Sequence, residues 1–365
     1  MTVPALAFCC AFASGALGRL APASWRPVAG AAYSADVGSP VISRIFGVAL
    51  AGPQLPKWSA QTGIRPQLLM SFQAWCHRPS PARLLAQARQ DQVTSVMITW
   101  DPWCPTPRGA SSRQERRKQP RFSNAAIASG RWDGYIRSWA RAVRDSGLTV
   151  YVRYAHEMNG GWYPWRWDPR AFVAAWRHVV GLFRKEHVTN ARFVWSGSPG
   201  TATVSARRAA RVLAYWPGRS DVSYVGNTVI DFGGRRHTHT ISQFAPALAW
   251  AHKTLRRPVM LTEVDTQFAG RVTWIDQLAA YAAATPWLKA IVWSQLPSYG
   301  AAHMRVGDLR WQVATDTGGS KAALRAVAAI MNAPGGATRR AGPPPSRASA
   351  GYLPRPDTSS SWPPV

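Results

Sequence analysis

Short apolar runs rich in β-branched and aromatic residues alternate with longer segments of helical period, and this alternation limits the fold more than any other feature. The runs fall at residues 45–50, 68–75, 95–100, 149–154, 192–195, 223–230, 259–262 and 290–293. Helical period fills 81–89, 132–145, 169–186, 206–215, 241–253, 272–284 and 321–332. Eight strands with helices between them predict an α/β fold, a (β/α)8 TIM barrel over 42–332. The runner-up, an open doubly wound sheet, usually carries a Gly-rich phosphate turn after its first strand. Here that strand continues FGVALAGPQLP, with no such turn.

The ends fall outside the barrel. Residues 1–41 open on an apolar stretch of signal-peptide length, with Ala21-Pro22-Ala23 as a small-x-small cleavage site, but no Lys or Arg precedes Arg19. The expectation is a signal peptide and lead-in, giving a secreted or periplasmic protein. Residues 333–365 are rich in Pro, Gly and Ser without apolar period, which predicts a disordered tail. No apolar run after the N-terminal segment reaches membrane-spanning length, so no membrane span is expected. Four cysteines in 365 residues exclude a disulfide-dense scaffold. Cys76 and Cys104 each follow a Trp just past neighbouring strands two and three, about 4.8 Å apart. They are expected to form a disulfide, the alternative being two free thiols at the barrel rim.

In such a barrel the chemistry collects at the C-terminal ends of the strands. Read in order, these ends carry Gln73-Ala74-Trp75, Trp100-Asp101-Pro102-Trp103, His156-Glu157-Met158-Asn159, Trp195-Ser196, Asn227-Thr228, Glu263-Val264-Asp265 and Trp293-Ser294-Gln295. Paired carboxylates among aromatic platforms suit glycosidic bond cleavage: one protonates the leaving oxygen and the other attacks the oxocarbenium-like centre. Glu157 and Glu263, ending strands four and seven, would face each other across the mouth, roughly 5–5.5 Å apart in a retaining enzyme. A lone glutamate at either place reads equally as a cap or an ion-pair partner. The two together point to an acid and a nucleophile.

Segment 148–165, LTVYVRYAHEMNGGWYPW, resembles the acid/base motif of glycoside hydrolase family 26, whose members include β-mannanases and lichenases. The likeness extends over about 42–332 and takes in PVMLTEVDT. The resemblance implies that Glu157 is the acid/base and Glu263 the nucleophile of a retaining endo-β-glycanase acting on mannan or mixed-linkage glucan. It implies that His156 lies near the sugar 2-hydroxyl, that Trp162 stacks near the scissile bond, and that Trp293 floors the minus-one sugar. Asp101, Trp100 and Asn159 are expected to contact substrate. Arg153, aimed inward by strand alternation, is expected to hold Glu263 ionised or to pair structurally with another acid. Two departures stand out. The family's sixth-strand Val-Gly-x-Asp-Gly-Tyr-Asn is replaced by Val225 to Asp231, so that Val229 or Ile230 occupies the place of a Tyr that bonds the nucleophile. The fifth strand ends Trp195-Ser196-Gly197 rather than Trp-x-Pro-Asn. The alternative function is a catalytically weakened barrel that binds or processes an exopolysaccharide.

No metal site is expected. Gly160 stands where an H-E-x-x-H zinc pair would need its second His, and His237 and His239 read as surface residues. No cofactor is implied: Walker, G-x-S-x-G and C-x-x-C motifs are missing. The charge of +27 comes from 44 Lys and Arg against 17 Asp and Glu, spread along the chain. That distribution speaks for compositional bias; the resemblance implies a polysaccharide substrate, and no specific nucleic-acid partner is expected. The cluster in 113–121 is either a solvated loop or a contact for an anionic glycan. A monomer is expected.

Overall fold

The computed structural model describes residues 44–50, 54–105, 119–198, 205–231, 240–266, 270–296 and 319–333. The expectations for the N-terminal segment to residue 41, for the tail beyond 333, for His237 and His239, and for most of the 113–121 cluster lie outside these residues.

Eight parallel strands close into one barrel in sequence order, β1 pairing with both β2 and β8. They are β1 (Ile45–Ala49), β2 (Leu68–Ala74), β3 (Ser95–Asp101), β4 (Thr149–Tyr154), β5 (Ala191–Gly197), β6 (Tyr224–Asp231), β7 (Val259–Thr266) and β8 (Leu288–Ser294). The helices are α1 (Leu55–Thr62), α2 (Pro81–Gln90), α3 (Asn124–Ala128), α4 (Asp133–Asp145), α5 (Pro169–Lys185), α6 (Ala206–Leu213), α7 (Ala245–Leu255), α8 (Arg271–Ala284) and α9 (Gly319–Asn332). The expected (β/α)8 barrel is the observed fold. None of the described helices is long and apolar enough to cross a membrane.

Local chemistry sets the helix starts. Ser80, Ser123, Asp168 and Ser205 each accept a backbone N–H of the first turn of α2, α3, α5 and α6. The α5 sequence buries Phe172, Trp176, Val179, Val180 and Phe183 at three- and four-residue spacing, the stripe that seats a helix on a sheet. Helical period was expected from residue 241. The chain instead makes a 3-10 turn at Ile241–Gln243, and α7 opens at Ala245. Pro246 lacks an N–H and disfavours helical geometry before it, so it belongs in a first turn. Helices α1 and α3 were not expected: eight and five residues give too few repeats to show a period.

Two apolar clusters follow from strand alternation. One fills the barrel, with Met70, Met97, Tyr151, Tyr224, Met260 and Val292 among its members. The larger lies between sheet and helices and holds Trp75, Trp100, Trp139, Trp176, Trp274 and Trp293. Most of the described tryptophans are therefore core. Cys76 and Cys104 are bonded, with Cα atoms 5.1 Å apart, and tie the end of β2 to the segment after β3. Cys104 is further held by Gln119, which accepts its N–H at 2.7 Å and donates to its carbonyl at 3.0 Å.

Candidate active site

Arg153 is the centre of the buried polar cluster. On β4, Tyr151 points into the barrel and Val152 out, so Arg153 points in, wholly buried. It donates through Nε to Ser196 Oγ at 2.9 Å and through Nη2 to Thr228 Oγ1 at 3.0 Å. Its Nη1 reaches Thr99 Oγ1 at 3.3 Å and makes a short ion pair with Glu263 Oε1. Three neutral hydroxyls and one carboxylate thus satisfy the fork. Burial pushes the Glu263 carboxyl above its ordinary range, and the Arg153 guanidinium works against that rise. The charge of Glu157 adds to the rise, which ties the two glutamates into one electrostatic unit.

Glu157 follows β4 on a turn with two non-glycine residues in left-handed geometry, Ala155 at φ 44° and Glu157 at φ 51°. Such geometry is uncommon away from glycine and gathers at functional sites. The turn is fixed by Glu157 N–H donating to Ser196 O at 2.7 Å, and by Trp165 Nε1–H donating to His156 O at 2.8 Å. Trp162 donates its indole N–H to Glu157 Oε2 at 2.6 Å while remaining 51% exposed. Its ring lies over Gly160, where any Cβ would collide with it.

His156 is buried between two partners. Nδ1 is 2.8 Å from Asp101 Oδ1, and Nε2 is 2.8 Å from the Tyr163 hydroxyl. A carboxylate fixes the proton on Nδ1, so Nε2 accepts from Tyr163. Burial, with Glu157 and Asp101 nearby, raises Tyr163 well above the ordinary phenol range and keeps it a donor.

The structure brings Glu157, Glu263, Arg153, His156, Asp101 and Trp162 together, and two expectations, for Trp100 and Trp293, are corrected. Trp100 is buried in the sheet–helix layer against Trp75 and Trp139, because β3 turns Thr99 inward and Trp100 outward. Trp293 likewise has no exposed surface and belongs to that layer, next to the inward Val292. Neither offers a face to a sugar. Asn159 spends both ends of its amide on Ser198, donating to the carbonyl at 2.7 Å and accepting its N–H at 2.8 Å, and so ties the turn after β4 to the end of β5. Asp101 and His156 also meet each other first: the carboxylate's described partner is the imidazole, and both imidazole nitrogens are engaged. The hydroxyls of Thr99, Ser196 and Thr228, and that of Tyr163, were not expected at the site. Ser196 and Thr228 stood at strand ends, but nothing in the sequence marks a hydroxyl as an arginine partner. Among the described residues no three His, Cys, Asp or Glu side chains gather as metal ligands.

No family profile matches the chain. Endoglucanase H of Acetivibrio thermocellus is 24% identical over 228 residues, which are 59% of this chain and 23% of that protein. The chain thus spans less than a quarter of the length of this curated relative. Solved structures that share the fold include the following three. A GH26 β-mannanase from Bacteroides ovatus aligns at TM-score 0.50 and 16% identity, covering 70% of this chain and 81% of its own. A double mutant of the Cellulomonas fimi endo-β-1,4-mannanase gives 0.51 and 15%, over 69% and 64%. GH26C from a Muricauda species gives 0.53 and 14%, over 73% and 82%. The chain has the barrel fold of the glycoside hydrolase family 26 mannanases, carrying a buried Arg–Glu pair and a Trp-bonded glutamate at its mouth.

Proposed function

We propose that this chain is a retaining endo-β-glycanase that hydrolyses a mannan or mixed-linkage glucan backbone by double displacement. The observation that carries the reading is the different setting of the two glutamates. Glu263 is buried and ion-paired with Arg153, which holds a carboxylate oriented for attack. Glu157, also largely buried, has no described ion pair and accepts the N–H of the half-exposed Trp162, from where it can exchange a proton with a leaving group and then with water. In the first step the Glu263 carboxylate attacks the anomeric carbon and Glu157 protonates the departing oxygen. In the second, Glu157 takes a proton from water and the water releases the sugar from Glu263. The His156–Asp101–Tyr163 chain holds the wall beside them. Names of relatives, endoglucanase and endo-β-1,4-mannanase, support the substrate class. The protein acts outside the cytoplasm as a monomer in this reading.

The weakened-barrel alternative keeps one observation in its favour. Ile230, not Tyr, is among the sixth-strand residues beside β7, where it pairs with Asp265. Reducing-end release from mannan, mixed-linkage glucan and xylan separates the two. Glu157→Gln and Glu263→Gln should each abolish release while leaving the circular dichroism spectrum unchanged. Proton NMR early in the reaction should find the β-anomer first. An inverted product removes Glu263 as nucleophile.

A further inference from the structure

The chain leaving β3 grips the turn that carries Glu157 in two places. Asp101, the last residue of the strand, holds His156 Nδ1 at 2.8 Å. Two residues on, the half-buried Trp103 meets the Tyr163 ring at 5.3 Å between centres and 88° between planes, and the Trp165 ring at 6.1 Å and 83°. Edge-to-face pairs of this kind are a favoured aromatic contact, and they fix a ring's angle as well as its distance. Tyr163 and Trp165 are themselves stacked at 4.4 Å and 11°. Together they hold His156 from both ends: the Tyr163 hydroxyl donates to Nε2, and the Trp165 indole N–H donates to the main-chain carbonyl. Glu157 is the next residue. Contacts thus run without a gap from Trp103, through the stacked pair, to His156 and its neighbour Glu157.

Trp103 has little freedom to leave that place. Its N–H donates to the Asp101 carbonyl at 2.8 Å, and its carbonyl accepts the Cys76 N–H at 3.4 Å. The next residue, Cys104, is bonded to Cys76, and Gln119 engages its N–H and its carbonyl. Residues 101–104 therefore form a strap, fastened to the end of β2 by the disulfide. Both cysteines are partly exposed, so a thiol reagent can reach the bond. A bridge between residues 28 apart constrains the unfolded chain wherever it lies in the fold. This one lies next to the residue that abuts Tyr163.

We infer that Trp103 is a positioning residue, held by the Cys76–Cys104 bond and acting through Tyr163 and Trp165 on His156 and on the turn of Glu157. The catalytic half of this inference rests on the glycanase reading, in which Glu157 is the acid/base. Without the Trp103 ring the stacked pair loses its perpendicular neighbour, and without the bond the strap is free to shift. Either change moves Glu157 and takes away no contact with substrate. Proton transfer demands close alignment of the transferring group, so the turnover step falls while substrate binding holds.

The experiment measures reducing-end release from mannan and mixed-linkage glucan by the full chain, Trp103→Ala and Trp103→Phe. Each is assayed oxidised and after dithiothreitol, which closes to its cyclic disulfide as Cys76 and Cys104 take up two electrons and two protons. Circular dichroism checks that each sample stays folded. Trp103→Ala should lower kcat about tenfold with KM unchanged, and Trp103→Phe should restore most of the loss. Reduction should lower kcat of the full chain by a similar factor and add little in Trp103→Ala, because both act on one path. An unchanged kcat or a raised KM alone in Trp103→Ala, or losses that multiply when the two changes are combined, would overturn the inference. The His156 imidazole supplies a readout that needs neither catalysis nor a substitution. By NMR of isotope-labelled histidine, the Nδ1 proton facing Asp101 should exchange with water more slowly before reduction than after it. Exchange unaltered by reduction overturns the positioning role. Altered exchange in a chain that cleaves no polymer leaves that role standing and removes the hydrolase reading.

Discussion

Replacing Arg153 with Met tests the electrostatic core of the site. The side chain is wholly buried and the Glu263 side chain nearly so, so solvent screens the pair little. Met fills much of the volume but leaves Glu263 without its counter-charge and three hydroxyls without a donor. Breaking one side of a buried pair costs about 3–5 kcal/mol. The cost should depend on pH. Burial already holds the folded carboxyl above its ordinary value, and losing Arg153 raises it further. A carboxyl with a raised folded pKa is penalised above that value, where it must ionise in the fold, and is relieved as pH falls through it. Urea denaturation should therefore give Arg153→Met its full deficit near pH 7 and a smaller one near pH 4.5, where the buried acid takes up a proton. Glu263→Gln added to Arg153→Met should recover much of the loss, because the uncompensated charge is gone. A deficit below about 1 kcal/mol at neutral pH, or one that neither acid nor Glu263→Gln relieves, would show that the pair is not what stabilises this region.

Three further outcomes follow from the same geometry. Reducing the Cys76–Cys104 bond, 28 residues apart in sequence, should destabilise the fold by roughly 3–4 kcal/mol in the chain-entropy treatment, and thiol titration of the denatured, unreduced protein should find both cysteines blocked. Tyr163→Phe removes the donor to His156 Nε2, so its stability should fall by about 1 kcal/mol in thermal melts; its hydrolytic rate should fall by about tenfold if the imidazole must stay oriented. Trp100→Ala and Trp293→Ala should each cost about 3–5 kcal/mol in urea titrations; a changed KM with stability intact would return either ring to the sugar site.

The eight strands were legible because each is a compact apolar run between breakers, and the long helices because α4 and α5 repeat their buried positions over several turns. The motif around Glu157 was legible because its residues are adjacent in sequence. What sequence concealed was direction. Trp100 and Trp293 end strands beside functional residues, and a tryptophan there reads as a platform. One step of alternation sends each into the helix layer, and the alternation is visible only once the inward set is known. The partner of Asn159 was concealed for another reason. It sits in the turn that carries Glu157, but its amide matches the Ser198 backbone across a gap of 39 residues in sequence, a pairing no local pattern announces.

Glu263 shows how far alternation can mislead in the opposite sense. Counting by twos from the inward Met260 would put Thr262 in the barrel and Glu263 outside, with Val264 inside. The structure has Val264 in the outer layer and Glu263 on Arg153. The register explains it: Asn227 pairs with Leu261, but Thr228 pairs with Glu263, so β7 carries one extra residue at that point. The bulge lets two successive side chains face inward. Thr262 bonds Ser196 at 3.1 Å and so joins the hydroxyls that hold Arg153, while Glu263 receives Arg153 itself. A regular strand could supply the hydroxyl or the carboxylate to this side of the barrel at adjacent positions, not both. The local break in the ladder is thus what brings Glu263, the proposed nucleophile, together with its support. The proposed acid/base needs a break too, since Glu157 reaches the mouth through the left-handed turn at Ala155 and Glu157. Both carboxylates are delivered by departures from regular strand geometry, one at a bulge in β7 and the other in the turn just past β4.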